Sequence, residues 1–393
     1  MSAKTVIAGV GMIPFSKPGK SKSYDEMAEE AVRLALADAG IDYSEVGQAY
    51  AGYVFGDSCS GQAGLYRVGL TSVPIINVNN NCATGSSALF LARQAIEAGA
   101  VDVALAVGFE MMLPGVPAGG WTDRKAPSFV LEREAEAIQG RFDNVPMAAQ
   151  LFGGAGVEYQ RKYGMKNETF AQISVKARRH AKLNPLAVFR EPITLDDVLA
   201  SPSFFGPITR LQCCPPTCGA AAAIVVSADY AKSKGLKRTV TIAGQGLATD
   251  GQSFLDAKSM MTLVGYDMTR KASERAYKMA GIGPGDVNVV ELHDCFTANE
   301  VISQEALGLV PEGGSEKFIL DGDNTYGGRL VVNPSGGLLS KGHPLGATGL
   351  AQISELVSQL RGECGERQVT GAKVGLQHNV GLGGACVVTL LSV

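Results

Sequence analysis

Short apolar runs alternate along this chain with longer stretches whose apolar residues recur at three- and four-residue steps. Thr5 to Val10 is a β-rich run ending in Gly11. From Tyr24 to Ala39, the residues Ala28, Ala31, Val32, Ala35 and Leu36 share one helical face, with Ser23 placed to cap the helix and Gly40 to stop it. Ala49 to Phe55 and Pro74 to Val78 read as strands, and Ala88 to Ala98 reads as a helix. Val103 to Gly108 is apolar throughout, which predicts a strand buried on both faces. Strands alternating with helices predict an α/β protein with a parallel or mixed sheet covered by helices.

The pattern changes at 113–202, which is more polar, broken by glycine and proline, and carries a helix from Asn167 to Leu183. This stretch reads as an insertion. Its basic run Lys176, Arg178, Arg179, His180 and Lys182 reads as a solvated helix face, with contact to an anionic ligand as the alternative. Gly219 to Ser227 then returns to a buried strand. After residue 234 the first pattern starts again. Thr241 to Gly246 echoes Val6 to Gly11, Ala347-Thr348-Gly349 echoes Ala83-Thr84-Gly85, and Gly384 to Ser392 echoes Gly219 to Ser227. Echoes in the same order predict two similar halves around one shared cleft. The expected units are 1–112, an insertion at 113–202, a return of the first half at 203–232, and a second half at 233–393.

Composition narrows the class. At 393 residues, with 46% hydrophobic and 19% charged, the chain folds around more than one core. A net charge of -3 gives no basic field for nucleic acid. No apolar run reaches the roughly 18 to 20 residues that span a bilayer. The first residues enter a strand-like run without a signal peptide's apolar region, and eight scattered cysteines suit a reducing, cytoplasmic setting. Cys213, Cys214 and Cys218 lack a second ligand pair at zinc spacing, so no metal is expected.

Candidate chemistry gathers at Asn79-Asn80-Asn81-Cys82-Ala83-Thr84-Gly85-Ser86, where a strand turns into a helix. A helix N-terminus favours a thiolate and lowers its pKa, which makes Cys82 a candidate nucleophile; a small buried residue is the other reading. Three of the four histidines lie in the second half, in His293-Asp294-Cys295-Phe296, Gly342-His343-Pro344-Leu345-Gly346 and His378-Asn379-Val380-Gly381. Each is expected at a strand end or loop, where open α/β sheets build their sites.

Asn-Asn-Asn-Cys-Ala-Thr-Gly-Ser at 79–86, His-Asp-Cys-Phe at 293–296, Gly-His-Pro-Leu-Gly-Ala-Thr-Gly at 342–349 and His-Asn-Val-Gly-Leu-Gly-Gly at 378–384 resemble the thiolase superfamily, specifically the sterol carrier protein X type. The resemblance runs over essentially the whole chain. It implies two βαβαβαββ halves in an α/β/α/β/α arrangement, a loop domain inserted in the first half, and a homodimer or dimer of dimers. It also implies cleavage of 3-ketoacyl-CoA by coenzyme A, which is a substrate and not a resident cofactor. The longest members add a lipid-transfer domain; here thiolase chemistry is expected rather than sterol carrying.

Carried over by motif, Cys82 is the nucleophile and His343 accepts its proton. His293 donates to the enolate oxygen and Cys295 handles the carbon-bound proton. Many thiolases use a Cys-x-Gly loop for that proton, but Gly381-Leu382-Gly383 stands here without its sulfur. The amides of Cys82 and Gly383 form the thioester oxyanion hole, and Asn333 and Ser335 shape the catalytic loop. Met147 is a candidate contact for the pantetheine arm. His378 either orders its loop or meets substrate, and Cys386 is packing. Two other readings stay open: a thiolase-like aldolase or condensing subunit, and a non-catalytic CoA-ester or lipid-binding protein.

Overall fold

The computed structural model describes residues 4–114 and 123–393. The expectations for 1–3 and for the part of the insertion at 115–122 lie outside the described residues. The first half runs β1 (Thr5–Met12), α1 (Tyr24–Ala39), β2 (Gln48–Gly52), α2 (Ser60–Val68), β3 (Ile75–Val78), α3 (Thr84–Glu97) and β4 (Val103–Glu110). The inserted stretch then supplies α4 (Phe129–Gln139), α5 (Met147–Tyr163), α6 (Asn167–Ala181), α7 (Leu195–Ala200) and a small hairpin, β5 (Ser203–Phe205) with β6 (Ile208–Thr209). β7 (Gly219–Ser227) closes the first half and α8 (Ala228–Ser233) leads away from it.

The second half repeats the order. It comprises β8 (Val240–Ala248), the short α9 (Ser253–Asp256) and α10 (Met260–Leu263), α11 (Tyr266–Ala280), β9 (Val289–Glu291), α12 (Thr297–Ala306), α13 (Ser315–Leu320), β10 (Val331–Val332), α14 (Gly337–Ser340), α15 (Thr348–Arg361), β11 (Val374–Gly381) and β12 (Ala385–Ser392). Strand order β3-β2-β4-β7-β1 in one half matches β10-β9-β11-β12-β8 in the other. In both, the three inner-to-edge strands are parallel and the last two antiparallel. The halves join edge to edge through Val6 with Thr241 and Ile7 with Val240.

Side-chain size explains the layers. Along β4, Val103, Leu105 and Val107 pack on the outer helices α1 and α2, while Ala104 and Ala106 face inward. Two helices, α3 and α15, fill the space between the half-sheets with Leu89, Ala92, Ile96, Leu350, Ile353 and Leu356. α11 covers the far face of the second half through Met268, Ala272 and Ala276. The five layers that the resemblance implies are present.

The insertion has its own core, Leu151, Phe152, Tyr159, Phe170 and Ile173, which continues into Phe296 and Ile302 of the second half. It therefore lies over the end of the second half-sheet that carries His293 and Cys295. The basic run is not a solvated face. Lys176 is buried and ion-paired with Glu300, and His180 is buried between the Asn333 carbonyl and Thr325. Only Arg179 and Lys182 of the run are exposed.

Candidate functional site

Cys82 sits in the turn between β3 and α3. Asn81 takes a left-handed φ of 49°, a conformation asparagine tolerates, and its N–H donates to Asn79 Oδ1 at 3.0 Å. Its side chain crosses to the other half, Nδ2 donating to the Leu382 carbonyl at 2.9 Å. The helix starts four residues earlier than its apolar pattern suggests, because Thr84, Gly85, Ser86 and Ser87 are all buried at the crossing with α15. His293 and Cys295 follow β9 directly, and His343 lies between α14 and α15.

These four residues line one cavity of about 620 Å³. The Cys82 sulfur and a ring nitrogen from each of His293 and His343 lie within 4.8 Å of one another. The two rings meet edge-on, with centroids 4.9 Å apart. Much of the wall is apolar: Phe152 and Phe204 come from the insertion, and Phe296, Leu339 and Leu382 from the second half. Phe152 stacks on Phe296 at 4.9 Å and so joins insertion to core. Arg178 also reaches this cavity, its guanidinium 4.5 Å from the Phe189 ring centre.

The apolar wall reverses one expectation. Burial, with the Glu110 carboxylate adding to it, pushes the Cys82 thiol up to about 12, although the Cys82 and Leu382 backbone N–H groups oppose the rise. A helix end supplies partial charge; lost water costs more. Burial also pushes the Cys295 thiol up, with Cys214, Cys82 and Asp294 adding to the effect. His343 is pushed down to about 3 by burial, and His293 falls well below its ordinary value for the same reason. The resting cluster is electrically neutral.

Hydrogen bonds fix which nitrogen of His343 is free. Thr348 Oγ1 donates to the Pro344 carbonyl at 3.0 Å, so its lone pairs are left to accept from His343 Nδ1 at 2.7 Å. The proton of the neutral ring then sits on Nδ1. Nε2 has no hydrogen-bond partner and keeps its lone pair, which is the state a general base requires.

The other residues singled out from the sequence lie around this cavity or beyond it. Gly383 does not line the cavity; its neighbour Leu382 does, and it is the Leu382 amide that is directed at the Cys82 sulfur. Asn333 has a φ of 55° and accepts the Leu292 N–H at 2.8 Å, and Ser335 donates to Glu291 at 2.7 Å. Met147 faces a separate cavity of about 260 Å³ beside Gln150 and Phe142. His378 is buried directly behind the site, its Nδ1 accepting the His293 backbone N–H at 3.4 Å and its Nε2 paired with Thr269 at 3.0 Å. Cys386 is wholly buried in β12.

Sequence reasoning did not single out Glu110, Thr348, Cys213 or Cys214 as site residues. Glu110 had one signal, an acid closing an otherwise apolar strand. Cys214 is tied to the site by its N–H, which donates to the Cys295 carbonyl at 2.8 Å. Among the described residues, Cys82, His293 and His343 are the one group close enough to share a metal ion.

A thiol from one half, with two imidazoles and a second thiol from the other, is a constellation suited to acyl transfer. The family comparisons agree with it: the thiolase N-terminal domain matches residues 5–229, and the thiolase C-terminal domain-like family matches 249–392. The chain belongs to the thiolase family. Within it, sterol carrier protein 2 of Gallus gallus is 52% identical over 395 residues, covering 99% of this chain and 72% of that protein. Non-specific lipid-transfer protein-like 2 of Caenorhabditis elegans is 45% identical over 393 residues, covering 98% and 95%. Among solved structures, the Ltp2-ChsH2(DUF35) aldolase is similar with a TM-score of 0.83 and 25% identity, covering 99% of this chain and 97% of that one.

Proposed function

We propose that this protein is a 3-ketoacyl-CoA thiolase, cleaving its substrate with coenzyme A into acetyl-CoA or propionyl-CoA and a shortened acyl-CoA. The observation that carries this reading is the cluster of Cys82, His293 and His343 within 4.8 Å, opening on the same apolar cavity as Cys295. As the Cys82 sulfur attacks the C3 carbonyl, His343 Nε2 takes its proton. With the thiol raised to about 12 and the imidazole lowered to about 3, transfer is coupled to attack rather than completed beforehand.

The C2–C3 bond then breaks and its electrons pass to the CoA-side enolate, whose oxygen accepts a hydrogen bond from His293. Cys295 gives its S–H proton to the carbon. In the second stage the CoA thiol returns a proton to Cys295 and attacks the acyl group. Cys82 leaves with the proton held on His343. Amides of Cys82 and of the Leu382–Gly383 turn favour the thioester oxyanion. Arg178, with Arg210 on the same cavity, offers cations to the CoA phosphates.

Mass spectrometry after mixing with a 3-ketoacyl-CoA tests the reading. An acyl adduct on Cys82 is expected, and Cys82→Ala loses both adduct and thiolysis. Unchanged turnover in that variant overturns the proposal. The likeness to an aldolase favours a second reading, carbon-carbon cleavage without a covalent intermediate. Cleavage with no adduct would select it. Binding of acyl-CoA without any turnover would select a carrier role, in keeping with the relatives' names.

The proposed assembly is a homodimer. β3 is one of the two edge strands of the sheet and has a single neighbour, with Ile76 37%, Tyr66 56% and Leu70 80% exposed along it or beside it. A second copy covering this edge would shield it, and light scattering at micromolar concentration tests the mass. Eight free cysteines support a reducing, cytoplasmic setting. Among the described residues no helix is long and apolar enough to cross a membrane.

A further inference from the structure

One chain of hydrogen bonds crosses from the second half to the first and back, and it ends on His293. It begins at the His378 carbonyl, which can only accept. Gln352 Nε2 donates to that carbonyl at 3.1 Å, so Gln352 Oε1 must face the next residue as an acceptor. Gln377 Nε2 donates to it at 2.9 Å and sends a second bond to Ser86 Oγ at 2.7 Å. Ser86, having accepted, turns its own proton to Asn379 Oδ1 at 2.9 Å. Asn379 therefore presents its Nδ2 to His293 Nδ1 at 3.0 Å.

Each link is forced by the one before it. Turning any amide over would set oxygen against oxygen or leave a proton without an acceptor. Ser86, Gln352, Gln377 and Asn379 are 0% exposed and His293 is 2% exposed, so water cannot substitute for a missing partner. Gln377 and Asn379 stand two residues apart on β11 and so point to the same face. Space is reserved too: a Cβ at Gly349 would run into Ser86 Oγ and lie 2.7 Å from Asn379 Oδ1.

We infer that Asn379 and Ser86 are positioning residues that hold His293 as the Nε2–H tautomer. His293 Nδ1 accepts from Asn379, and burial keeps the ring neutral with a single proton. That proton sits on Nε2, the nitrogen left for the cavity that the ring lines. His343 is set the opposite way, with Nδ1–H tied to Thr348 and Nε2 bare. Two imidazoles in edge-on contact thus hold opposite states, one ready to accept a proton and the other to donate a hydrogen bond to substrate oxygen. The donor role rests on the thiolase reading; the tautomer does not.

The chain has four histidines, so ¹⁵N-labelled imidazoles give four ring systems to assign. The expected result is His293 protonated at Nε2 and bare at Nδ1. In Asn379→Asp the carboxylate accepts instead of donating, and the His293 proton moves to Nδ1 while His180 and His343 keep their signals. Thiolysis should fall by about 10²-fold or more in kcat with KM within about twofold, the usual scale for losing one oxyanion donor. Acetylation of Cys82 by acetyl-CoA, which breaks no carbon-carbon bond, should persist. Ser86→Ala, a milder change, should give a mixture of the two His293 states and an intermediate kcat.

Wild-type His293 protonated at Nδ1, or Asn379→Asp with an unchanged tautomer or unchanged thiolysis, would overturn the inference. If the wild-type ring is as stated but no acyl adduct forms on Cys82, the thiolase reading fails and the tautomer assignment stands. If the adduct forms while the ring carries its proton on Nδ1, the assignment fails and the thiolase reading stands.

Discussion

Glu110, the last residue of β4, accepts the Gly346 N–H at 3.0 Å and so ties the first half to the loop that carries His343. The same carboxylate accepts the N–H groups of Val54 and Phe55 at 3.1 and 2.9 Å. Three donors from two separate loops, the Gly346 N–H buried and the other two only partly so, depend on one side chain. Glu110→Ala should destabilise the fold by about 1–3 kcal/mol, the cost of leaving the buried Gly346 N–H without a partner. Chemical denaturation measures this, and a loss below about 1 kcal/mol would mean that water replaces the carboxylate.

The same residue makes stability depend on pH. Burial pushes Glu110 up to about 7 against the pull of its three N–H donors. Between the ordinary 4.5 and about 7, the folded protein holds a proton that the unfolded chain has released. The native state then binds more protons, so this group's contribution falls as pH rises through that window. Asp294, also raised to about 7 by burial, acts in the same direction. Urea midpoints at pH 5, 6 and 7 should decline in the wild type, and Glu110→Gln should flatten the slope without abolishing it.

Alkylation reports on the nucleophile. A Cys82 thiol raised to about 12 is a thiolate in only a minute fraction of molecules at neutral pH. Its rate with iodoacetamide should therefore climb about tenfold per pH unit and still be rising at about pH 9. A plateau near neutrality would show a thiolate already formed, and would restore the lower pKa that a helix end alone suggests.

Thr348→Val removes the acceptor for His343 Nδ1–H while keeping the shape of the side chain. The imidazole can then place its proton on Nε2, where it no longer serves as a base. A drop in kcat of about tenfold to a hundredfold is expected, within the range of general-base catalysis, with KM nearly unchanged. Steady-state kinetics decide it. Equal losses in kcat and in affinity would point to a displaced loop instead.

How far the sequence could be read is clear from particular elements. Tyr24–Ala39 and Gly219–Ser227 have the bounds that caps and apolar runs suggest, because both elements are specified by residues within them. The first turn of α3 is not legible from its sequence because Thr84 to Ser87 are poor helix formers on their own. They are small because α15 crosses there, a fact held by residues more than 250 positions away. The basic run failed for the same kind of reason: Lys176 is neutralised by Glu300, 124 residues on. Cys82, His293, Cys295 and His343 were legible as motifs and share one cavity. The Cys82 pKa was not legible, since it depends on a wall assembled from several segments. Leu382, not Gly383, lines the cavity, a one-residue difference that depends on how the turn after β11 is oriented.

The seam between the half-sheets has one further consequence. Two residue pairs, Val6 with Thr241 and Ile7 with Val240, are a short ladder for a body of this size. Alignment of the halves must then be kept chiefly by the filling between them, where Leu89 and Leu350 are wholly buried. A gap opened there would let one half slide by a fraction of an ångström and detune a sulfur against an imidazole well before melting. The interior filling works as the calibration of the instrument as well as its support.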